Sequence, residues 1–378
     1  MHTQTSVESR YADAALQAEA ALCCPVDYDP QYLKVIPQEV IEKDYGCGDP
    51  SQWLKSGETV LDLGSGTGKI AFIASQVVGA SGQVIGVDMT DAMLSVARRN
   101  APIVAERIGY CNVDFRKGRI QDLALDLEQL DQALCKNPIT SSNDLKELDA
   151  LSAQLRREQP LIASESVDVV VSNCVLNLVE SVDKAQLFHE IFRVLKKGGR
   201  AVISDIVSDE PIPEKMQQDA HLWSGCLSGA LTESDFLKAF EIAGFHGIEL
   251  VKFESNPWQT IEGIEFRSIT VQAFKGKQGP CREQRQAVIY QGPYKCVLDD
   301  DGHRYDRGVR TAVCAKTFQL LQKEPYAGHF AYIEPLIPVA AASAEVFNCE
   351  RSALRHPRES KGQDYQATHY CSETEGCC

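Results

Sequence analysis

Between positions 59 and 118, short apolar runs alternate with longer stretches whose apolar residues recur at helical spacing. TVLDLG, QVIGVDM and NVDFRKG read as strands. IAFIASQVVGA and DAMLSVARRNAPIVAERIG read as helices, the second opened by Thr90 and Asp91. The same alternation resumes with SVDVVVSN (strand), DKAQLFHEIFRVLKKGG (helix with a Gly-Gly stop), RAVISDIV (strand) and TESDFLKAFEIAGF (capped helix), and residues 247–275 supply two further strands. Strand–helix alternation at these lengths predicts βαβ units around a parallel sheet, seven strands in all. Residues 121–160 interrupt it with two charged amphipathic pieces that read as an inserted helical hairpin.

The pattern changes after KGKQGPC. AVIYQGPYKCVLDDDGHRYDRG alternates apolar positions about an Asp-Gly turn, a hairpin signal. VRTAVCAKTFQLL and AYIEPL complete a small β-rich domain. The expected organisation is therefore a lead-in segment (1–58), a sheet domain (59–276), a small C-terminal domain (281–337) and a mobile Cys-containing tail (338–378).

Composition narrows the partners. A net charge of −15 and a pI of about 5.1 argue against a nucleic-acid phosphate backbone. No apolar run approaches a membrane span, and MHTQTSVESRYADAALQAEAALCC lacks the layout of a signal peptide. The expectation is a cytoplasmic monomer. In that compartment the 14 cysteines are not readily disulfides, and no repeated C-x-x-C pair has zinc-ribbon spacing. A buried cysteine is often only a small hydrophobe, but this many invite a soft-ligand role.

LDLGSGTGKI follows a strand and opens a helix. Gly64, Gly66 and Gly68 allow a sharp turn and close backbone approach, and Asp88, ending the second strand, can accept both hydroxyls of a ribose. The dinucleotide fingerprint wants glycine where Lys69 stands. The G-x-G-x-G spacing, with Asp62 ahead of it and GRIQDL after the third strand, instead resembles the S-adenosylmethionine loop of class I methyltransferases. That resemblance implies a Rossmann-like α/β fold and a cofactor site at Asp62, Gly64, Ser65, Gly66, Gly68 and Asp88. Met89, Ile120 beside the adenine, Tyr45, and Asn173 near the methionine part complete the expected set.

In SNCVLNLV a bare thiol, Cys174, follows the end of the fourth strand, next to the expected methyl group. Attack by a protein thiolate would only methylate the protein. Thiols holding a soft atom with its own lone pair, such as trivalent arsenic, would serve instead. YGCGDP around Cys47, SNCVLNLV around Cys174 and SGCLSGAL around Cys226 resemble the cysteine motifs of the arsenite S-adenosylmethionine methyltransferases, and the likeness extends over nearly the whole chain, with the 121–160 insertion resembling a longer bacterial branch. It implies arsenic(III) bound by Cys174 and Cys226, with Cys47 as third thiolate or resolving thiol. It also implies an upstream redox cysteine (Cys23 or Cys24), a thiol reductant of glutathione or thioredoxin type, and mono- and dimethylated products. Where the family often carries a carboxylate before the third cysteine, this chain has Gly225. The rival readings are a class I methyltransferase for a small organic oxygen, nitrogen or carbon acceptor, which would need a general base, and a non-catalytic metalloid-binding protein, which would have no use for the GSGTG loop.

Overall fold

The computed structural model describes residues 3–16, 26–43 and 45–362 and separates into two units, Met1–Gly276 and Lys277–Cys378. Cys23, Cys24 and the Cys377–Cys378 pair lie outside the described residues.

The first unit carries β1 (Thr59–Leu63), β2 (Gln83–Asp88), β3 (Val113–Lys117), β4 (Val167–Asn173), β5 (Leu195–Ser208), β6 (His246–Phe253), β7 (Gln259–Ile261) and β8 (Ile264–Phe274). They form one sheet in the order β3-β2-β1-β4-β5-β8-β6. Pairing is parallel from β3 to β5 and antiparallel where β8 meets β5 and β6. The predicted seven strands make up this path; the short β7 is an addition that pairs with β8.

Side chains alternate faces along each strand, so the apolar runs feed two cores. Val60, Val84, Val169, Val171 and Val202 pack with Phe72 and Leu94 from helices Lys69–Val78 and Asp91–Ile108. Leu61, Ile85, Val170, Ala201 and Ile203 pack on the other face with Phe188 and Phe240 from helices Lys184–Val194 and Glu233–Ala243. Between β3 and β4 lie helices Leu127–Lys136 and Ser142–Glu158, capped by the side chains of Asp126 and Ser141.

Two local expectations fail. The helix predicted to reach Gly198-Gly199 ends at Val194, and β5 begins at Leu195. Gly198 N donates to Lys275 O at 2.6 Å and Lys275 N to Gly199 O at 2.8 Å, so the glycine pair is bonded to the end of β8 rather than stopping a helix. Thr90 occupies the N-cap of the second helix, but its side chain makes no capping bond; Asp88 Oδ1 accepts Thr90 N at 2.8 Å instead.

In the second unit β9 (Ala287–Tyr290) is flanked by β12 (Arg310–Ala312) and β13 (Phe330–Ile333), while β10 (Cys296–Leu298) and β11 (Arg304–Asp306) form a hairpin. Its turn is closed by Gly302 N donating to Asp299 O at 2.8 Å. The mobile tail expected from Pro338 does not begin there. Ala312 N donates to Ala353 O at 2.7 Å, and Arg355, 1% exposed, pairs with Glu283 and Glu359. Buried charge pairing, which apolar patterning does not report, holds this polar stretch through residue 362.

Candidate active site

In the sheet order, β1 leads to β2 and β3 on one side and the chain then crosses to β4 on the other. Ligands of open α/β sheets lie beyond the strand ends at such a reversal. The glycine loop after β1 and Asn173-Cys174 at the end of β4 both meet there.

A cleft of about 1050 Å³, its open mouth included, occupies this position. Nine of the ten expected cofactor residues line it: Tyr45, Asp62, Gly64, Ser65, Gly66, Asp88, Met89, Ile120 and Asn173. Gly68 does not. It caps the helix at φ +95°, and a Cβ there would stand 2.7 Å from the Phe115 ring, so its bareness serves packing. At Gly66 (φ +52°) nothing stands within 4 Å of where a Cβ would lie, which leaves the backbone open to the cleft. Ser65 Oγ is buried without a hydrogen-bond partner among the described residues. Asp88 is 9% exposed, and burial raises its carboxyl although Thr90 and Gly66 N–H groups bond to it. A polar, glycine-lined cradle with an orphaned hydroxyl and a carboxylate at the second strand end fits the polar nucleoside and amino-acid parts of S-adenosylmethionine.

Next to it, Cys47, Cys174 and Cys226 share one buried cluster with Ile206, Met216 and Phe266. Their three segments are far apart in sequence and are brought together by named contacts. Asn173 Oδ1 accepts Cys47 N at 2.9 Å and Gly48 N at 3.0 Å, and its Nδ2 donates to Gly48 O at 2.7 Å. Ser268 Oγ donates to Cys47 O at 2.7 Å. The bend is tight, because a Cβ on Gly46 would lie 2.2 Å from Asn173 Nδ2. Cys226 Sγ donates to Cys174 O at 3.0 Å. The side chain of Asn173 is therefore spent on the Cys47 loop, a use the sequence did not suggest.

Cys174 and Cys226 both have φ +63°, a left-handed conformation costly for residues with a Cβ. Below them lies a polar lock. Asp205, fully buried in β5, accepts Leu176 N and Asn177 Nδ2 at 2.9 Å each and Ile206 N at 2.8 Å. Asn177 Nδ2 also reaches Ile206 O at 2.7 Å and Cys226 O at 3.3 Å. Lys184 Nζ donates to Leu176 O at 3.2 Å and Gly229 O at 2.7 Å. The lock thus ties the Cys174 loop to the Cys226 loop.

The Sγ atoms of Cys47 and Cys174 and a carboxylate oxygen of Asp205 all lie within 4.8 Å of one another. The neighbouring thiols Cys226 and Cys47, then burial, hold Cys174 well above the ordinary thiol range. Burial pushes up the Cys47 thiol and raises Asp205 to about 6, and it lowers Lys184 to about 8. Tyr11 joins the two compartments: its ring lines the cleft and its hydroxyl is 3.8 Å from Cys226 Sγ.

Asp205, Asn177, Lys184 and Tyr11 were not singled out from sequence. A signal existed for Asp205, the one carboxylate in the mostly apolar run RAVISDIV, since buried Asp is rare unless paired.

A methyltransferase domain matches residues 54–159 and 141–244, and a domain of unknown function matches residues 277–365. The chain is 35% identical to an arsenite methyltransferase of Aquipseudomonas alcaligenes over 83% of this chain and 85% of that one. It is 29% identical to the arsenite methyltransferase of Mus musculus over 97% of this chain and 92% of that one. An arsenic(III) S-adenosylmethionine methyltransferase from Chlamydomonas reinhardtii, solved by crystallography, superposes with a TM-score of 0.54 at 28% identity, covering 86% of this chain and all of that one. Identity and coverage of this extent, on a fold with a cofactor cleft beside a cluster of thiols, mean that the chain belongs to the arsenite methyltransferase family and is a S-adenosylmethionine-dependent enzyme.

Proposed function

We propose that trivalent arsenic is held for methylation by the thiols of Cys174 and Cys226, with Cys47 as the third sulfur. The observation that carries this reading is the convergence of these three cysteines, from separate loops, into one buried cluster adjoining the cleft. When bound in the cleft, S-adenosylmethionine supplies an electrophilic methyl suited to a soft lone pair. Asp62, Ser65, the bare backbone at Gly66 and Asp88 bind it, and Ile120 and Met89 offer apolar contact.

The chain's own work is to bind and aim the arsenic. Arsenous acid is neutral, and so are the raised thiols. As each As–S bond forms an As–O bond breaks, and the thiol proton leaves with the hydroxide as water. The Asp205 carboxylate, within 4.8 Å of both the Cys47 and Cys174 sulfurs, can carry that proton from sulfur to oxygen. A three-coordinate trithiolate arsenic keeps one lone pair opposite its ligands. The surrounding Ile206, Met216 and Phe266 exclude water.

Mono- and dimethylated products, a glutathione- or thioredoxin-type reductant, and a redox partnership of Cys47 with an upstream thiol, Cys24 in preference to Cys23, belong to the same proposal. A reducing, cytoplasmic setting, in which thiols stay free to bind arsenic, belongs to it as well. A monomer suffices, because one chain supplies every group named.

Cys174→Ser and Cys226→Ser are each expected to abolish arsenite-dependent release of S-adenosylhomocysteine while equilibrium binding of S-adenosylmethionine persists. Turnover retained in either variant would refute the assignment. Release that does not depend on arsenite would point to an organic acceptor.

A further inference from the structure

The second unit contains a cavity that the methylation chemistry does not use. Cys281, Cys314 and Cys349, contributed by three separate stretches, all line it. Cys314 and Phe347 are buried in one small apolar cluster with Ala312, and Cys281 packs against that cluster. Backbone bonds fix this neighbourhood: Phe347 N donates to Cys281 O and Ala315 N to Arg282 O, both at 2.9 Å. Cys281 is thereby held between the segment bearing Cys314 and the segment leading to Cys349. Cys349 is exposed, its Sγ only weakly engaged with Phe347 O at 3.9 Å, and none of the three is in a disulfide.

Among the described residues, the group of three ligand atoms that converge within 4.8 Å is Cys47, Cys174 and Asp205. Cys281, Cys314 and Cys349 form no such group. An atom with two exchangeable positions and one carbon substituent suits two thiols beside an apolar wall, and Phe347, Val313 and Ala312 supply that wall.

We propose that this cavity is a second arsenical site, holding a monoalkyl trivalent arsenical such as monomethylarsonous acid on Cys281 and Cys314, with its methyl group against Phe347 and Cys349 as the entry thiol. Two As–S bonds form and two As–O bonds break. Each thiol proton leaves with a hydroxide as water, and arsenic stays trivalent throughout. The chemistry of thiol exchange is soft-acid binding and needs no cofactor. The choice of a methylated arsenical rests on the function proposed above; the cavity and its thiols do not.

The test uses the full-length, reduced protein and monomethylarsonous acid itself as the probe. Pre-incubation is expected to slow alkylation of Cys281 by N-ethylmaleimide at least tenfold, read by peptide mass spectrometry, while the exposed Cys111 and Cys135 are alkylated as before. Arsenic bound per chain after desalting should fall by one equivalent in Cys281→Ser/Cys314→Ser. If that variant does not fold, protection of Cys281 in the wild type decides alone. Unchanged alkylation of Cys281 at saturating arsenical overturns the proposal. Cys174→Ser/Cys226→Ser separates the two readings: it should lose its own equivalent yet keep Cys281 protected. Protection without that loss would strike the first site and leave the second standing.

Discussion

Cys174 and Cys226 adopt the same unusual backbone conformation, φ +63°. The left-handed region costs a residue bearing a Cβ roughly 1–2 kcal/mol, and glycine escapes that cost. Tertiary contacts hold both residues there: Cys174 N donates to Ser204 O at 2.8 Å and Cys226 N to Trp223 O at 3.0 Å. We expect Cys174→Gly to be more stable than Cys174→Ala by about 1 kcal/mol in denaturant unfolding, with neither turning over arsenite. An alanine variant as stable as the glycine one would remove strain from the account. The raised thiols make a second prediction at this scale. Exchange of As–O for As–S releases water and no net proton, so the equilibrium affinity for arsenite should be flat between about pH 6.5 and 8.5. Asp205, raised to about 6, takes the thiol proton as each As–S bond forms, so the binding rate should rise with pH as Asp205 ionises and level off above about pH 7. Trp223, buried three residues before Cys226, offers a fluorescence signal for both measurements.

The elements that carry these thiols are loops, and loops need anchoring. Asn177 bridges Asp205 to the carbonyl of Cys226, and Lys184 bonds carbonyls of both thiol loops. Removing one partner of a buried polar contact costs about 1–3 kcal/mol. Asn177→Ala is therefore expected to weaken arsenite binding by roughly tenfold or more, the equivalent of about 1.4 kcal/mol, with S-adenosylmethionine affinity unchanged. Isothermal titration of the two ligands on the same variant checks this; equal losses for both would mean general loosening of the fold. Strand positions were readable because apolar residues alternate between Val60 and Val202 on one face and Leu61 and Ile203 on the other. The start of β5 was not, because LKKGG is polar and glycine-rich, and its extended form depends on bonds to Lys275, some 75 residues away in the chain.

At the scale of the whole molecule, every group assigned to the cofactor cleft and to the arsenic thiols falls within Met1–Gly276, whose sheet is complete without the second unit. A chain ending at residue 276 is expected to bind S-adenosylmethionine within about threefold of the full protein. A fragment that folds, by circular dichroism, but fails to bind would show that the second unit shapes the cleft. Sequence by itself determined the class of the sheet and the glycine loop with Asp88, since strand period and turn glycines are local properties, while Cys47, Cys174 and Cys226 were singled out as candidates by the resemblance of their motifs to those of a family. Tertiary structure decided that the Cys47 loop hangs on the side chain of Asn173 and that a buried Asp205–Asn177–Lys184 lock aligns the other two loops. It also decided that Gly68 serves packing, that the stretch after Pro338 is held by a buried arginine, and that Cys281, Cys314 and Cys349 share a cavity. Each of these depends on groups far apart along the chain meeting in a low-dielectric interior, where an unpaired polar atom is costly, and no local pattern encodes which distant partner will satisfy it.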